Sequence, residues 1–313
     1  MRNLSIDYLK LFLAFLVVLL HLNFLSKNSP ELSYVLVNGL FRLAVPLFLV
    51  ITGYYFYNID NKEKFKNWLF RIGIMYVIWM LIYSPFWFKF NNLINSFVVI
   101  FFGYFVLWYL IGVLFSGAIL YFLRNIRSNT LLFLALTLYI VGYCLQQLGN
   151  LHVFTGVIDK ILNWHPISRN FIFDCFTFLT LGFLIKKLNF DLKYKPSLII
   201  VLISILMVIL ESRLNYIYIS KSEPLDHIIS MLLTAPIIFL YVKNLKIMGE
   251  NKNLALFSTA IFLIHPLFIL LYSFIHDHGL LWIGLPIEVF VIALSVVSGF
   301  ILVILNKKLK YIL

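Results

Sequence analysis

The chain has 313 residues and a formal charge of +12, yet 62% of its residues are hydrophobic, only 12% are charged and the mean hydropathy is +0.97. That composition excludes an ordinary soluble globular domain and leaves an all-α polytopic membrane protein. No Gly/Ser/Pro-rich linker or polar block is long enough for a second, soluble domain, so residues 1–313 read as a single transmembrane domain.

Runs of about twenty apolar residues are long enough to cross a bilayer. They predict helices near 6–26, 35–57, 67–88, 101–123 and 130–148, and five more near 170–187, 196–214, 225–243, 254–275 and 281–306. Within the fourth, Asn95–Tyr104 could form a separate interfacial or re-entrant piece. The first run follows Arg2, as a secretory signal would, but Leu22–Leu32 offers no small-x-small cleavage site, so it reads as a permanent helix. Cys144 and Cys175 fall in or at predicted spans and suggest no disulfide framework.

The basic residues set an orientation. One set of loops carries seventeen, from Arg2 and the Lys62–Arg71 group to Lys307, Lys308 and Lys310; the other carries six, namely Lys27, Lys89, Lys160, Arg169, Arg213 and Lys221. This bias predicts both termini in the cytoplasm and accounts for the positive charge without invoking nucleic acid.

Two basic residues, Lys10 and Arg42, lie inside helices, as does His21 in the first span. An ionisable group in a lipid-spanning segment is costly, and function is the default hypothesis for it. Eleven residues at about 100° and roughly 1.5 Å each put Lys10 and His21 on nearly one helix face, about 16 Å apart. Lys10 would then lie toward the cytoplasm and His21 toward the outer surface.

Several motifs occur in order. They are Asp7-Tyr8-Leu9-Lys10 followed by His21, the run from Arg42 to Phe48 (RLAVPLF) with Thr52-Gly53-Tyr54, and Arg71 at the start of the third span. Leu107-Trp108-Tyr109-Leu110, Arg169-Asn170 leading to Gly182, and Phe262 to Pro266 (FLIHP) follow. Together they resemble the acyltransferase 3 family of bacterial integral-membrane O-acyltransferases over essentially the whole chain. Two departures stand out: many members have arginine where this chain has Lys10, and serine where it has Thr52. The resemblance implies a multi-pass protein of the bacterial cytoplasmic membrane. It also implies transfer of an acyl group, usually acetyl from cytoplasmic acetyl-CoA, to a hydroxyl of a surface polysaccharide or its lipid-linked precursor.

The residues can be weighed against that reaction. A sugar hydroxyl is a poor nucleophile at neutral pH and needs a base with a pKa near 7, which makes His21 the candidate base or acyl-accepting nucleophile. Glu211, near the predicted outer end of the seventh span, is the candidate to orient it; the alternative is an ion pair with Arg213. Lys10, Arg71 and Arg42 are candidates to neutralise donor phosphates or the thioester oxygen. For Arg71, ordinary positive-inside topology is an equal explanation. Asp7 could pair with Lys10. His265, before a helix-breaking proline, could be a second site histidine or purely structural. Trp108, Tyr109, Arg169 and Asp174 are candidates for acceptor contacts or support, and Glu288 stands beside Asp174 as a further acidic candidate. Trp164 and His165 could stack on sugar or simply anchor at the interface. No metal or redox-cofactor motif is visible, so the expected small-molecule partner is an acyl-CoA as donor substrate, with no bound cofactor. The competing readings are a glycan or acyl-donor transporter without transfer chemistry, and a structural subunit of a glycan-assembly complex.

Overall fold

Asn3 starts the first helix: its side chain accepts a hydrogen bond from Ser5 N at 3.1 Å, satisfying one of the free amides of the first turn. The computed structural model describes residues 2–279 and 285–313. The helices are α1 (Leu4–His21), α2 (Pro30–Phe56), α3 (Lys62–Ile82), α4 (Leu93–Phe102), α5 (Phe105–Leu123), α6 (Ser128–Asn150), α7 (Phe176–Lys187), α8 (Leu198–Tyr218), α9 (Met231–Asn244), α10 (Asn253–Asp277) and α11 (Ile287–Leu305). A two-residue antiparallel bridge pairs β1 (Arg2–Asn3) with β2 (Met248–Gly249), stitching the N-terminus to the α9–α10 connection.

All but α4, α7 and α9 are long and apolar enough to cross a membrane, which makes eight candidate spans and a polytopic membrane protein. The expectation of ten full-length spans is corrected at the sixth and eighth positions. There α7, with the π-type turn Phe171–Cys175 before it, and the 14-residue α9 are shorter rods. Asn95–Tyr104 does not extend the fourth span: α4 stops at Gly103, whose φ of +85° suits glycine, and α5 begins separately. The predicted start of the tenth span, at 281, lies outside the described residues.

Three departures from regular helix position the site. First, α1 ends at His21 rather than near 26, because Asn23 and Leu25 take φ of +47° and +64°. This leaves the imidazole in the last turn instead of inside the rod. Second, α2 is interrupted by a π-type turn at Leu36–Leu40 and a tight turn at Phe41–Leu43. Pro46 cannot donate to the Arg42 carbonyl four residues back, so the break falls where the sequence cannot sustain the helix ladder. Third, residues 223–230, read as the start of the eighth span, are not helical.

That third segment is held by side chains. Tyr34 and Asn150 donate to the carbonyls of Glu223 and Pro224, both at 3.1 Å, and Asn38 Oδ1 accepts from Leu225 N at 3.2 Å. Gln146 Oε1 takes the amides of Asp226 and His227 at 2.6 and 2.8 Å, and its Nε2 donates to the His227 carbonyl at 2.9 Å. The Tyr139 hydroxyl accepts from Ile228 N and donates to its carbonyl. Irregular backbone is tolerated inside a membrane bundle only when protein groups replace the missing ladder, and here they do so residue by residue.

Helices α2 and α7 cross backbone to backbone. A Cβ on Gly53 would collide with the Leu179 carbonyl, and one on Gly182 with the Val50 carbonyl. Small residues at such crossings let helices approach closely without a hydrophobic drive from lipid. Elsewhere Ser258 Oγ donates to the Lys10 carbonyl at 2.8 Å, joining α10 to α1. Residues 306–313 fold back against the bundle, where Trp79 Nε1 donates to the Ile312 carbonyl at 2.9 Å. Cys144 and Cys175 are both free thiols.

Candidate functional site

Helix α1 carries one ionisable residue into each of two cavities at opposite ends of the bundle. The first, of about 320 Å³, is lined by His21 together with Asn38, Arg42, Phe105, His165 and Arg169. A small recess beneath it, about 40 Å³, adds Trp108, Asp174 and Asp226. The second cavity, about 550 Å³, lies at the end that carries Arg2 and Leu313, so both described chain ends meet on one side. Its cations are Arg2, Lys10, Arg71, Lys252 and Lys310, and among the described residues no acidic side chain lines it. From it an apolar recess of about 170 Å³ runs inward past Lys10, Met75 and Thr259 to Phe48, Thr52, Tyr109 and Phe262.

The two systems share no lining residue among those described. Between them stands a layer of aromatic rings. Phe48, Tyr109 and Phe262 meet edge to face, with centroids 5.5 to 6.2 Å apart. Phe262 then touches His265 at 6.4 Å, and His265 stacks on His21 at 5.5 Å. The path from the apolar recess to His21 therefore crosses two side chains.

His21 packs against Phe105 at 4.8 Å on its other side and has no hydrogen-bonded carboxylate among the described residues. The expectation that Glu211 orients it is not met. Glu211 lines neither cavity; its two oxygens accept Ile229 N at 2.7 Å and Ser230 N at 2.8 Å, capping the N-terminus of α9. His265, fully buried, has Nδ1 3.2 Å from the Ile261 carbonyl, and its Nε2 has no partner. Pro266 removes a backbone donor nearby, and the Tyr83 hydroxyl donates to the Leu263 carbonyl at 2.7 Å.

Arg42 is also moved from its expected place. It lies in the His21 cavity, not with Lys10 and Arg71, because α2 runs opposite to α1 and the turn at 36–43 sits beside the end of α1. Its guanidinium pairs with Asp226 and donates to Asn38 Oδ1 at 3.2 Å. Asp7 is bound not by Lys10 but by Arg2, in a bidentate pair at 2.5 and 2.8 Å. Trp108 and Tyr109, adjacent in sequence, face different systems: Trp108 the recess under His21, Tyr109 the apolar recess beyond Lys10. The Tyr109 hydroxyl lies 3.5 Å from Thr52 Oγ1, which itself donates to the Phe48 carbonyl. Arg169 stacks on the Trp108 ring at 5.1 Å, and Asp174 is buried with Oδ1 unpartnered. Glu288, in the first turn of α11, lines neither cavity.

His165, in the connection before the sixth helical position, also lines the His21 cavity. Burial, then the charges of Arg169 and Arg42, push its pKa below the ordinary histidine value, so it is neutral at neutral pH. The residue missed by sequence reasoning is Asp226. The available signal was an Asp226-His227 pair opening an apolar run, an ionisable pair inside a predicted span. Lys252 and Lys310 had no signal beyond their charge and were absorbed by the topology argument.

Comparison with known proteins agrees with this architecture. Residues 3–305 match the acyltransferase domain of the acyltransferase 3 family, and the chain belongs to that family. It is 26% identical over 291 residues to an amino-acid racemase of Enterococcus faecalis, covering 85% of this chain and 41% of that protein. It is 25% identical over 295 residues to a serine/alanine racemase of Enterococcus gallinarum, with the same coverage. The chain thus spans about two fifths of the length of these curated relatives. No solved structure matches.

Proposed function

We propose that this protein is a membrane O-acyltransferase that moves a short acyl group, acetyl in the simplest case, from acyl-CoA to a hydroxyl of a cell-surface glycan or its lipid-linked precursor. The observation that carries the reading is the division of α1: Lys10 in a cavity rich in cations, His21 in a separate cavity, one aromatic layer between them. The excess of basic residues in the loops on the Lys10 side supports a cytoplasmic setting for that cavity, where acyl-CoA is found, and the relatives support a bacterial membrane.

Arg2, Lys10, Arg71, Lys252 and Lys310 then hold the donor phosphates, each cation acting through charge-assisted contacts. The apolar recess takes the arm that bears the thioester, and displacement of Phe262 and His265, the two side chains between the recess and the imidazole, brings the acyl carbon to His21. In direct transfer, His21 takes the acceptor hydroxyl's proton as its oxygen bonds to the thioester carbon. The carbon–sulfur bond breaks, and the thiolate leaves with the proton returned by the imidazolium. In the two-step route His21 Nε2 or Nδ1 is acylated first, the thiol departs, and the alcohol then attacks the acyl-imidazole. Both routes require a neutral imidazole open to its cavity.

The test is labelled acetyl-CoA added to membranes containing wild type or His21→Ala. Label in glycan from wild type and none from the variant supports transfer; equal label from both removes the catalytic assignment. A second reading, movement of the glycan or acyl donor without chemistry, draws on the oppositely placed cavities and on relatives named for racemases rather than transferases. Glycan export without any label in wild type would select it.

A further inference from the structure

The guanidinium of Arg169 is a strong hydrogen-bonding group beside His21 that the described residues leave unused. Its side chain makes no hydrogen bond among the described residues. Its nearest charge is Asp226 at 3.7 Å, whose Oδ1 is already taken by Arg42, and the group is only 24% exposed. Stacking on Trp108 at 5.1 Å fixes its plane. A guanidinium presents five donors in a rigid fork matched to the two oxygens of a carboxylate or phosphate.

The surroundings say what would satisfy it. The upper cavity's charged lining consists of Arg42 and Arg169, with His21 and His165 beside them and no carboxylate. The carboxylates Asp174 and Asp226 lie below, in the recess that His21 and Arg169 also line. Asp226 is engaged by Arg42, whereas Asp174 Oδ1 is buried without a donor. Arg169 therefore lacks a hydrogen-bond acceptor and Asp174 Oδ1 lacks a donor, and both line the recess that His21 lines. A neutral sugar would leave the fork without an oxyanion; a purely anionic ligand would leave Asp174 without a donor.

We propose that the molecule received in the His21 cavity is an acidic alcohol, whose carboxylate or phosphate is gripped by Arg169 while a hydroxyl donates to Asp174 and another faces His21. This names the acceptor class for the transfer reading above and rests on it for the word acceptor, but binding itself needs no donor and no turnover. The carboxylate and phosphate forms share one chemistry, and the test separates them.

The experiment titrates full-length protein in lipid nanodiscs, without acyl-CoA, with glucuronate, glucose 1-phosphate and neutral methyl glucoside. Wild type should bind at least one acidic probe more tightly than the glucoside; which acid is preferred identifies the anion. Arg169→Gln should weaken that probe by about tenfold or more, the scale of one charge-assisted contact. Arg169→Lys should keep the preference for the acid at reduced affinity. Lys62→Gln/Lys66→Gln, on exposed residues that line neither cavity, should leave it within about twofold. Unliganded melting temperatures check that each variant is folded. Equal binding of glucoside and acids, no binding of any probe by folded wild type, or a preference lost on changing Lys62 and Lys66 but not Arg169 would overturn the proposal. Equal label from wild type and His21→Ala, or no label from wild type, would leave these affinities standing, so the two ideas fail separately.

Discussion

The two ends of the bundle solve opposite problems. The Lys10 end gathers five cations around one cavity, and the buried carboxylate of Asp7 is already paired with one of them, Arg2. It is an electrostatic trap, built from side chains on short loops and helix ends. The His21 end instead fixes its charges one by one: Arg42 against Asp226 on the irregular 223–230 segment, and Arg169 against the Trp108 ring, with Asp174 buried beneath. The first end can lose a charge and still attract an anion. The second depends on each group keeping its partner. Affinity is distributed at one end and geometry is concentrated at the other.

Breaking the concentrated end should have the largest effects. His21→Ala is expected to lower transfer by about 10²–10⁴-fold, the range for loss of a general base, with donor binding unchanged. Labelled transfer alongside CoA binding would show this. Asp226→Ala strips the buried Arg42 of its partner and should destabilise the protein by about 3–5 kcal/mol. Denaturation in detergent, compared with an Arg42→Met/Asp226→Leu double variant expected near wild-type stability, checks whether the pair or the packing matters.

Intermediate effects sharpen the contrast. Glu211→Ala removes the acceptor for the Ile229 and Ser230 amides that lead into α9 and should cost about 0.5–2 kcal/mol of stability, as loss of a helix cap does, while the pH profile of transfer stays put. A shifted profile would return Glu211 to the side of His21. At the distributed end, Lys252→Gln should raise KM for the donor several-fold with kcat unchanged, and the rise should shrink as salt is added.

The smallest effect is at Asp191, on the Lys10 side. Burial alone would raise its pKa, but hydrogen bonds from Lys243 at 2.8 Å and Tyr54 at 2.7 Å outweigh it and hold it below the usual carboxylate range. A depressed native pKa means the stabilisation is present at neutral pH and is lost as pH falls below about 4. Asp191→Asn should lower the melting temperature at neutral pH toward the value that wild type shows in acid and flatten the acid dependence, as melting temperatures against pH would reveal.

The comparison also explains what could be read from the chain alone. Hydropathy located the helices because lipid exposure is a property of whole segments, and helical geometry alone separated Lys10 from His21. Glu211 and Arg42 were misplaced for a common reason. Their roles depend on which residues leave the helix, at 36–43 and 223–230, and apolar periodicity continues unbroken through both. Asp226 was hidden by the same continuity. The Lys252 and Lys310 positions were hidden by redundancy, since any cytoplasmic lysine satisfies the topology rule.

Helix α1 has no proline and no break between Lys10 and His21, so the spacing of about 16 Å that eleven residues impose cannot stretch. Under the transfer reading the helix is a ruler. It sets the minimum reach of any carrier whose charged head docks at one mark and whose reactive tip must arrive at the other. A short activated acid such as acetyl phosphate would bind among the cations and stop far from the imidazole, which makes the length of the carrier a selection criterion enforced by a single rigid rod.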